Sequence, residues 1–416
     1  MARKYRTGNV TAACQRHQYR SAQFIKASQF SSRIAVKYAH SISPMTLLRF
    51  FAIASASFLL AGPAAAQEPN TIVVGQAIDL SSPNASVGRD YVAGIKTYFD
   101  ALNAAGGVNG KRIRYIVRDD QAQATVAAKV VTELIERDQI DFLLGGVGDS
   151  TAQAVLNTPA FKRSNLVLFA PLVDTVELNS TRVLFWRPSY LQEVRHILSH
   201  FSQLGMTDVG IAYQDTPWAQ QAFRNLSAEL RGRGMKLNGA AKLGNIEKQN
   251  ADEAARLATS KPGFVIVIAD TISTSLFLKE FRRSAPQTFV AGTSLINLET
   301  LRELAGARAV EWTVFSQVVP NPNTGKSSIQ LEHLNMMKKY RDEPPSSLTL
   351  EGFTVAKTLV KAIQRSKRSN QAALQDLMNQ DANIDLGGLS VTASPNSKHL
   401  SGYLDIALFK KNGLVF

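Results

Sequence analysis

The stretch from Asp141 to Ala160, DFLLGGVGDSTAQAVLNTPA, predicts a strand, a turn and a helix in immediate succession. The apolar run Phe142–Leu144 is typical of a buried parallel strand. Gly145, Gly146 and Gly148 let the backbone come close to another group, and a helix of small residues follows. Such a junction presents free N–H groups and a partial positive charge to a bound polar group. An ordinary tight turn between a strand and a helix is the alternative on this stretch alone.

The patterns around this stretch predict two α/β lobes in series. In the first half, strands are expected at 71–77, 111–118, 142–144 and 166–170, with helices between them. After Pro188 the alternation restarts, with strands expected at 208–213, 235–241, 264–269 and 288–292. Short connections in this order predict parallel sheets covered by helices on both faces. The predicted fold class is α/β, with two doubly wound, Rossmann-like lobes and a ligand cleft between their strand ends.

The net charge of +14 does not indicate a nucleic-acid-binding protein. Residues 1–66 hold nine Lys and Arg and no Asp or Glu, so the remainder has 38 basic and 33 acidic residues, a charge of about +5. These basic residues are scattered and form no stripe with interleaved aromatic side chains. We therefore expect no nucleic-acid partner.

The N-terminal region predicts export. Residues 45–66 combine Arg49, an apolar run and the small residues Ala64–Ala66 before Gln67, which is the pattern of a secretory signal peptide. The apolar run is too short to remain as a membrane-spanning helix. Residues 1–44 are a basic extension, interpreted as disordered or untranslated, with a transit peptide as the alternative. Cys14 is the only cysteine and lies there, so the exported chain would have no disulfide.

Several longer stretches resemble the type I periplasmic binding proteins of the branched-chain amino acid (leucine, isoleucine, valine) family, which are substrate-binding proteins of ABC transporters. The most specific is ALNAAGGVNGKRIRYIVRDD, because the family shows a helix ending in N-x-x-G-G-[IV]-x-G, a basic strand and two aspartates in that order. LLGGVGDSTAQAV and LTLEGFTVAKTLVKAI add to the resemblance, which covers residues 71–416. It implies two lobes joined by three hinge crossings that close on a small ligand.

The resemblance also implies discontinuous lobes. The first lobe is expected to contain residues 67–187 and 321–390, and the second lobe residues 188–320 and 391–416. The crossings are expected near Arg187, near Pro320 and between Gly387 and Leu400.

Ligand-binding residues carried over from the family lie in loops of both lobes. They are Gly148, Asp149, Ser150, Thr151, Ala170, Leu172 and Asp174 in the first lobe, and Tyr190, Trp218, Asp270, Thr271 and Ser294 in the second. Asp149 and Asp174 stand where amino acid binders usually have Ser or Thr. A carboxylate there would repel a ligand carboxylate and favour an ammonium, amidinium or hydroxyl group. The alternative is that both aspartates cap the helices that follow them.

The sequence does not predict catalysis, a cofactor or a metal site. Gly146-x-Gly148-x-x-Thr151 lacks the third glycine of the dinucleotide fingerprint. His196 and His200 are four residues apart on a predicted helix, but no third ligand is evident and we interpret them as a surface pair. Neither G-x-S-x-G nor H-E-x-x-H occurs.

The predicted function is that of an extracytoplasmic solute-binding protein of an ABC importer, in the periplasm. It would capture a small polar or amino-acid-like ligand by hinge closure and deliver it to an ABC permease in the inner membrane, and we expect a monomer. The alternative is a periplasmic sensor subunit that signals to a membrane kinase or chemoreceptor.

Overall fold

The first lobe is built on a five-stranded parallel sheet with the strand order β2-β1-β3-β4-β5. A computed structural model describes residues 70–173, 178, 180–244, 247–410 and 413–415. The predicted extension 1–44, the predicted signal peptide 45–66 and Asp174 lie outside the described residues. The strands are β1 (Thr71–Ile78), β2 (Arg112–Asp119), β3 (Phe142–Leu144), β4 (Leu168–Phe169) and β5 (Val183–Leu184). The helices between them are α1 (Ser86–Ala104), α2 (Ala124–Glu136), α3 (Asp149–Asn157) and α4 (Pro159–Arg163).

The second lobe has a seven-stranded sheet with the order β14-β13-β10-β9-β8-β6-β7. Its parallel strands are β6 (Asp208–Gln214), β7 (Lys236–Leu243), β8 (Phe264–Ile268), β9 (Phe289–Gly292) and β10 (Thr313–Gln317). The helices are α5 (Tyr190–Gln203), α6 (Pro217–Gly232), α7 (Glu247–Thr259), α8 (Thr271–Ser284), α9 (Leu298–Ala305) and α10 (Ala307–Val310).

The last part of the chain contributes to both lobes. Helices α11 (Ser328–Tyr340), α12 (Ser347–Ser366) and α13 (Ala372–Met378) cover the first sheet, and β11 (Ala382–Asp385) and β12 (Ser390–Ala393) form a hairpin beside them. Strands β13 (Asp405–Lys410) and β14 (Gly413–Val415) then join the second sheet. β13 pairs antiparallel with β10, so the second sheet is mixed at one edge rather than fully parallel as predicted.

Each lobe is a three-layer sandwich, because apolar side chains are buried on both faces of each sheet. In the first lobe, one core lies between the sheet and α1, α11, α12 and α13, and the other lies under α2, α3 and α4. In the second lobe, α7, α8 and α9 cover one face, and α5 and α6 cover the other. The predicted α/β class with two lobes is thus confirmed. Among the helices of the described residues, none combines the length and hydrophobicity needed to cross a bilayer.

Two glycines bring helices α1 and α12 into backbone contact. A Cβ atom built on Gly94 would lie 1.9 Å from the carbonyl oxygen of Thr349. A Cβ atom built on Gly352 would lie 2.1 Å from the carbonyl oxygen of Tyr91. Real Cβ atoms do not approach so closely, so any larger residue at either position would force the helices apart.

The chain passes between the lobes three times. The first crossing joins β5 to α5, and the second leads from β10 to α11, with Val319 already in the first-lobe core. Val391, Ala393 and Leu400 also belong to that core. We therefore place the third crossing between Leu400 and β13. The sequence analysis had placed the return to the second lobe earlier, at residue 391.

A buried arginine lies at the first crossing and contacts an acidic residue from each lobe. The side chain of Arg187 is only 3% exposed, and its Nε and Nη2 donate to the two carboxylate oxygens of Glu351 on α12, at 3.0 and 2.9 Å. Its Nη1 lies 3.9 Å from Oε1 of Glu193 on α5. Glu193 also accepts hydrogen bonds from the Ser294 amide (2.8 Å) and the Ser316 hydroxyl (2.6 Å). One buried charge network therefore spans the hinge.

Replacing Arg187 should destabilise the fold strongly. In Arg187→Met, Glu193 and Glu351 would remain buried without their cation, which typically costs about 3–5 kcal/mol. Urea unfolding at neutral pH measures this loss of free energy.

A matched control exists at the surface. Arg195 makes the same two-pronged contact with Glu229, at 3.0 Å for both bonds, but its side chain is 49% exposed. Arg195→Met should cost no more than about 1 kcal/mol. If both variants lose the same free energy of unfolding, burial of Arg187 at the hinge does not increase its contribution to stability.

Candidate functional site

A cleft of about 810 Å³ lies between the carboxyl ends of the two sets of strands. The first lobe contributes residues after β1, β2, β3 and β4, namely Asp79, Asn84, Val87, Ala122, Val147, Gly148, Asp149, Ser150, Thr151, Gln153, Leu172 and Leu178. The second lobe contributes Tyr190, Gln214, Thr216, Pro217, Trp218, Val267, Ile268, Ala269, Asp270, Thr271, Thr293, Leu295 and Ile296. The volume suits a small organic molecule.

The glycine turn from Gly145 to Gly148 forms part of the first-lobe wall. Gly145 and Gly146 let the turn pass close to its neighbours, because added Cβ atoms would lie 2.4 Å from Pro171 Cα and from the Ala77 carbonyl oxygen. Gly148 has φ 99° and occupies the N-cap position of α3. Ser150 is exposed on the first turn of α3. The Thr151 hydroxyl is turned back onto the carbonyl oxygens of Val147 and Gly148, at 2.7 and 2.9 Å.

Asp149 is the first residue of α3, and Gly148 precedes it at the N-cap position. Asp149 lines the cleft in the first turn of the helix, beside the positive end of the helix dipole.

The second-lobe wall is built from three helix starts. Trp218 follows Pro217 at the beginning of α6 and contacts Tyr190, the first residue of α5, edge to face with ring centroids 6.0 Å apart. Asp270 caps α8, because its Oδ1 accepts from the Ser273 amide at 2.7 Å. Its Oδ2 accepts from Nε2 of Gln214 at 2.9 Å. Asp270 thus faces the cleft and also fixes the local backbone.

Hydrogen bonds join the two lobes along one edge of the cleft. Nδ2 of Asn297, the cap of α9, donates to Oδ2 of Asp90 on α1 (3.1 Å) and to the Ser86 carbonyl oxygen (3.4 Å). The amide of Ile272 donates to Oδ1 of Asn84 at 3.4 Å. Burial raises the pKa of Asp90, although hydrogen bonds from Ser346 and Asn297 oppose the rise. The lobes are therefore in direct contact across the cleft in this structure.

Nine of the twelve predicted site residues line the cleft: Gly148, Asp149, Ser150, Thr151, Leu172, Tyr190, Trp218, Asp270 and Thr271. Their contact with a ligand is part of the proposal below. Asp174 lies outside the described residues.

Ala170 and Ser294 are not among the residues lining the cleft. Ala170 has φ 55° and is buried, and its carbonyl oxygen accepts from the Tyr91 hydroxyl at 3.1 Å. Because of this left-handed conformation, β4 ends at Phe169, one residue before the end of the strand predicted at 166–170. Ser294 is buried with its amide bonded to Glu193, and its neighbours Thr293 and Leu295 face the cleft instead.

A family model described as periplasmic binding protein matches residues 71–413. The chain belongs to this family. Its members are binding proteins, not enzymes, which agrees with the lack of a catalytic motif in the sequence. Among the described residues, no group of three or more His, Cys, Asp or Glu side chains could hold a metal ion.

Relatives of this family member are distant. A Leu/Ile/Val-binding protein homolog from Brucella melitensis is 22% identical over 344 residues, covering 80% of this chain and 89% of that protein. An amino acid binding protein from Pseudomonas aeruginosa is 32% identical over 74 residues, only 18% of this chain and 20% of that protein. A solved branched-chain amino acid transporter substrate-binding protein from Streptococcus pneumoniae, in complex with isoleucine, has a TM-score of 0.71 at 15% identity. That match covers 83% of this chain and 98% of that chain.

Five of the cleft residues that the sequence analysis missed follow a simple rule. Asp79, Ala122, Gln214, Ala269 and Thr293 each end a parallel strand or come shortly after one. A search of every predicted strand end in both lobes would have found them, because ligands of open α/β sheets bind there.

Asp120, beside the cleft residue Ala122, should make stability depend on pH. Burial raises the pKa of Asp120 to about 6, and the carboxylates of Asp79 and Asp119 add to the rise. Between pH 4 and about 6 the folded state then binds more protons than the unfolded state, so stability falls as the pH rises. Asp120→Asn should remove this fall and raise the free energy of unfolding at pH 7.5 by roughly 2 kcal/mol.

Urea unfolding at pH 4.5, 6 and 7.5 checks this expectation, and Asp119 supplies a control of opposite sign. Partial burial acts to raise the Asp119 pKa, but hydrogen bonds from Ser81 and the Leu80 amide outweigh it and lower the pKa. Asp119→Asn should therefore lose stability at neutral pH. If the free energy of unfolding at neutral pH changes in the same direction in both variants, burial does not set the pKa of Asp120.

Proposed function

We propose that this chain is an extracytoplasmic solute-binding protein of an ABC importer. The observation that carries the proposal is the cleft itself, which is lined by both lobes and bridged by hydrogen bonds between them. The family consists of binding proteins, and a cleft shared by two lobes is where such a protein would take up its ligand.

The mechanism follows from the division of the wall between the lobes. An open form captures the ligand on the first lobe, at the turn from Gly148 to Thr151 and at Leu172. Closure then adds Tyr190, Trp218 and Thr271 from the second lobe and excludes water. Only contacts that exist in the closed form alone can shift the equilibrium toward it, so the second-lobe residues govern closure.

The ligand class is a small organic molecule. The Brucella relative carries Leu/Ile/Val-binding in its name, and the Streptococcus structure contains isoleucine, so amino acids are the first ligands to test. The apolar side chains of Val87, Leu172 and Ile296 in the cleft suit an aliphatic or aromatic body.

The partner follows from the proposed role. The closed, ligand-loaded form would dock as a monomer on an ABC permease in the inner membrane, after export to the periplasm directed by residues 45–66. A sensor subunit would use the same closure to signal to a membrane kinase or chemoreceptor. Uptake into vesicles that contain the permease, only when the receptor is added, distinguishes import from sensing.

Trp218 should matter for binding more than for folding. It is half-buried at the cleft, so Trp218→Ala should weaken binding of the best ligand from a thermal-shift screen at least about tenfold. The free energy of unfolding should fall by no more than about 2 kcal/mol. Calorimetry and urea unfolding measure the two effects.

Phe223 on the same helix provides the control. It stacks on Tyr213 with ring centroids 4.5 Å apart and is not among the residues lining the cleft. Phe223→Ala should lose stability and keep its affinity. If both variants lose ligand affinity equally, Trp218 acts through packing of the lobe and not through contact with the ligand.

The bridge between the lobes should set the balance of open and closed forms. Asn297→Asp keeps the oxygen that caps α9 but replaces the donor to Asp90 with a second carboxylate oxygen, so like charges would face each other. Without ligand, small-angle scattering should show a larger radius of gyration for this variant.

The reciprocal exchange tests the cause. In Asp90→Asn combined with Asn297→Asp, the donor and the acceptor change places, so the radius of gyration should return toward that of the original protein. A double variant as open as Asn297→Asp would show that this hydrogen bond does not hold the lobes together.

A further inference from the structure

We propose that the cleft selects a small organic cation, an ammonium or amidinium group on an apolar body without a carboxylate. The inference rests on the proposed function, because it names the ligand class of the same cleft. It departs from the zwitterionic amino acids that the names of the relatives suggest.

The charges around the cleft are of one sign. Among the described residues, those lining the cleft include three aspartates, Asp79, Asp149 and Asp270, and no Lys, Arg or His. The chain as a whole carries a net positive charge. The donors that bond to Asp79 and Asp270 are neutral amide and hydroxyl groups of Ser82, Ser273 and Gln214, so these bonds leave the carboxylate charges in place. A carboxylate can accept about four hydrogen bonds, so each also keeps the capacity to bind a ligand donor. A ligand carboxylate would meet repulsion in this cleft, and a ligand cation would meet attraction.

Acidic or capping side chains stand at the helix starts that line the cleft. Helix N-termini are the usual anion sites of α/β proteins, and α3, α5, α6 and α8 all begin at the cleft. At the start of α5, the Ser189 hydroxyl accepts from the Gln192 amide. Asp149 brings a carboxylate to the first turn of α3, and Asp270 caps α8. In α6 the Thr216 hydroxyl accepts from the Ala219 amide, and Pro217 has no N–H to offer.

The aromatic wall fits the same ligand class. Tyr190 and Trp218 meet edge to face at the second-lobe side of the cleft. Aromatic faces attract cations through their quadrupole and also cover apolar groups. Leu172, Val267 and Leu295 add aliphatic surface around them. A charged head facing the aspartates and an apolar body against this wall would satisfy both parts of the cleft.

Matched triads of ligands test the class on the full chain by calorimetry. One triad is 3-methylbutylamine, leucine and 4-methylpentanoate, and the other is phenethylamine, phenylalanine and 3-phenylpropanoate. Within each triad the body is the same and only the head group changes. We expect the amine of at least one triad to bind at least about tenfold more tightly than its amino acid, and the acids not to bind. An amino acid or acid that binds as tightly as its amine, or failure of both amines to bind, overturns the inference.

Charge-removing variants assign the effect to named residues. Asp149→Asn and Asp270→Asn should each weaken amine binding about tenfold and narrow its advantage over the amino acid. Asparagine at 270 still caps the helix, so α8 should remain intact. Asp376→Asn on α13 removes the same charge away from the cleft and should leave amine binding unchanged. The same change in all three variants would contradict a local charge effect.

The outcomes separate this inference from the proposed function. If leucine or phenylalanine binds best and Trp218→Ala weakens it, the cation class is wrong and the receptor function stands. If neither the triads nor a wider ligand screen changes the melting temperature or the radius of gyration, the receptor function itself is wrong.

Discussion

The arrangement of the two lobes depends on the buried charges at the hinge. Arg187 belongs to the first crossing, Glu351 to the first lobe and Glu193 to the second, and all three side chains are excluded from water. Burying such charges is unfavourable unless each of them is paired and hydrogen-bonded. The side chains must therefore stay together, which fixes where the lobes can pivot. Glu193 also links the hinge to the cleft. The carboxylate oxygen that does not face Arg187 accepts from the Ser294 amide, which lies between the cleft residues Thr293 and Leu295.

The cleft combines rigid supports with a contact that can separate. Most of its lining residues lie at strand ends and helix starts, where the backbone is fixed by the sheets and by caps such as Asp270 and Thr216. The contact between the lobes is much smaller than the apolar core within each lobe. It consists of amide, carbonyl and carboxylate groups around Asn297 and Asn84. When the lobes separate, water can replace polar contacts of this kind, whereas opening a lobe core would expose apolar side chains to water. The fold therefore favours motion between the lobes over motion within them.

Much of the fold could be predicted because the main strands and helices have clear periodicity. The strand predicted at 142–144 has the same bounds in the structure, and the strand predicted at 264–269 differs by one residue at its end. The two-residue strand β5 was missed because so short a segment has no period to detect. β10 was also missed, and the chain between residues 293 and 320 was left without a predicted strand.

The site could be predicted only where the family resemblance or a loop pattern pointed to it. Trp218 and the turn after Leu144 were found in this way. Ala170 and Ser294 were misplaced by one or two residues, because a left-handed backbone and a buried hydrogen bond turn them away from the cleft. The pairing of Arg187 with Glu351, 164 residues apart, leaves no local pattern. Asn297 looks like any other helix cap, so nothing in the sequence marks its role between the lobes.

The backbone contact at Gly94 and Gly352 also has an evolutionary consequence. Gly352 is adjacent to Glu351, and Gly94 lies one helical turn after Asp90, so the contact lies between the hinge charge and the bridge across the cleft. Neither glycine can acquire a side chain without displacing the facing backbone, at Thr349 for Gly94 and at Tyr91 for Gly352, and with it the helix that carries Glu351 or Asp90. Diverging lineages should therefore be free to exchange the residues that line the ligand cleft, while both glycines stay unchanged in receptors of different specificity.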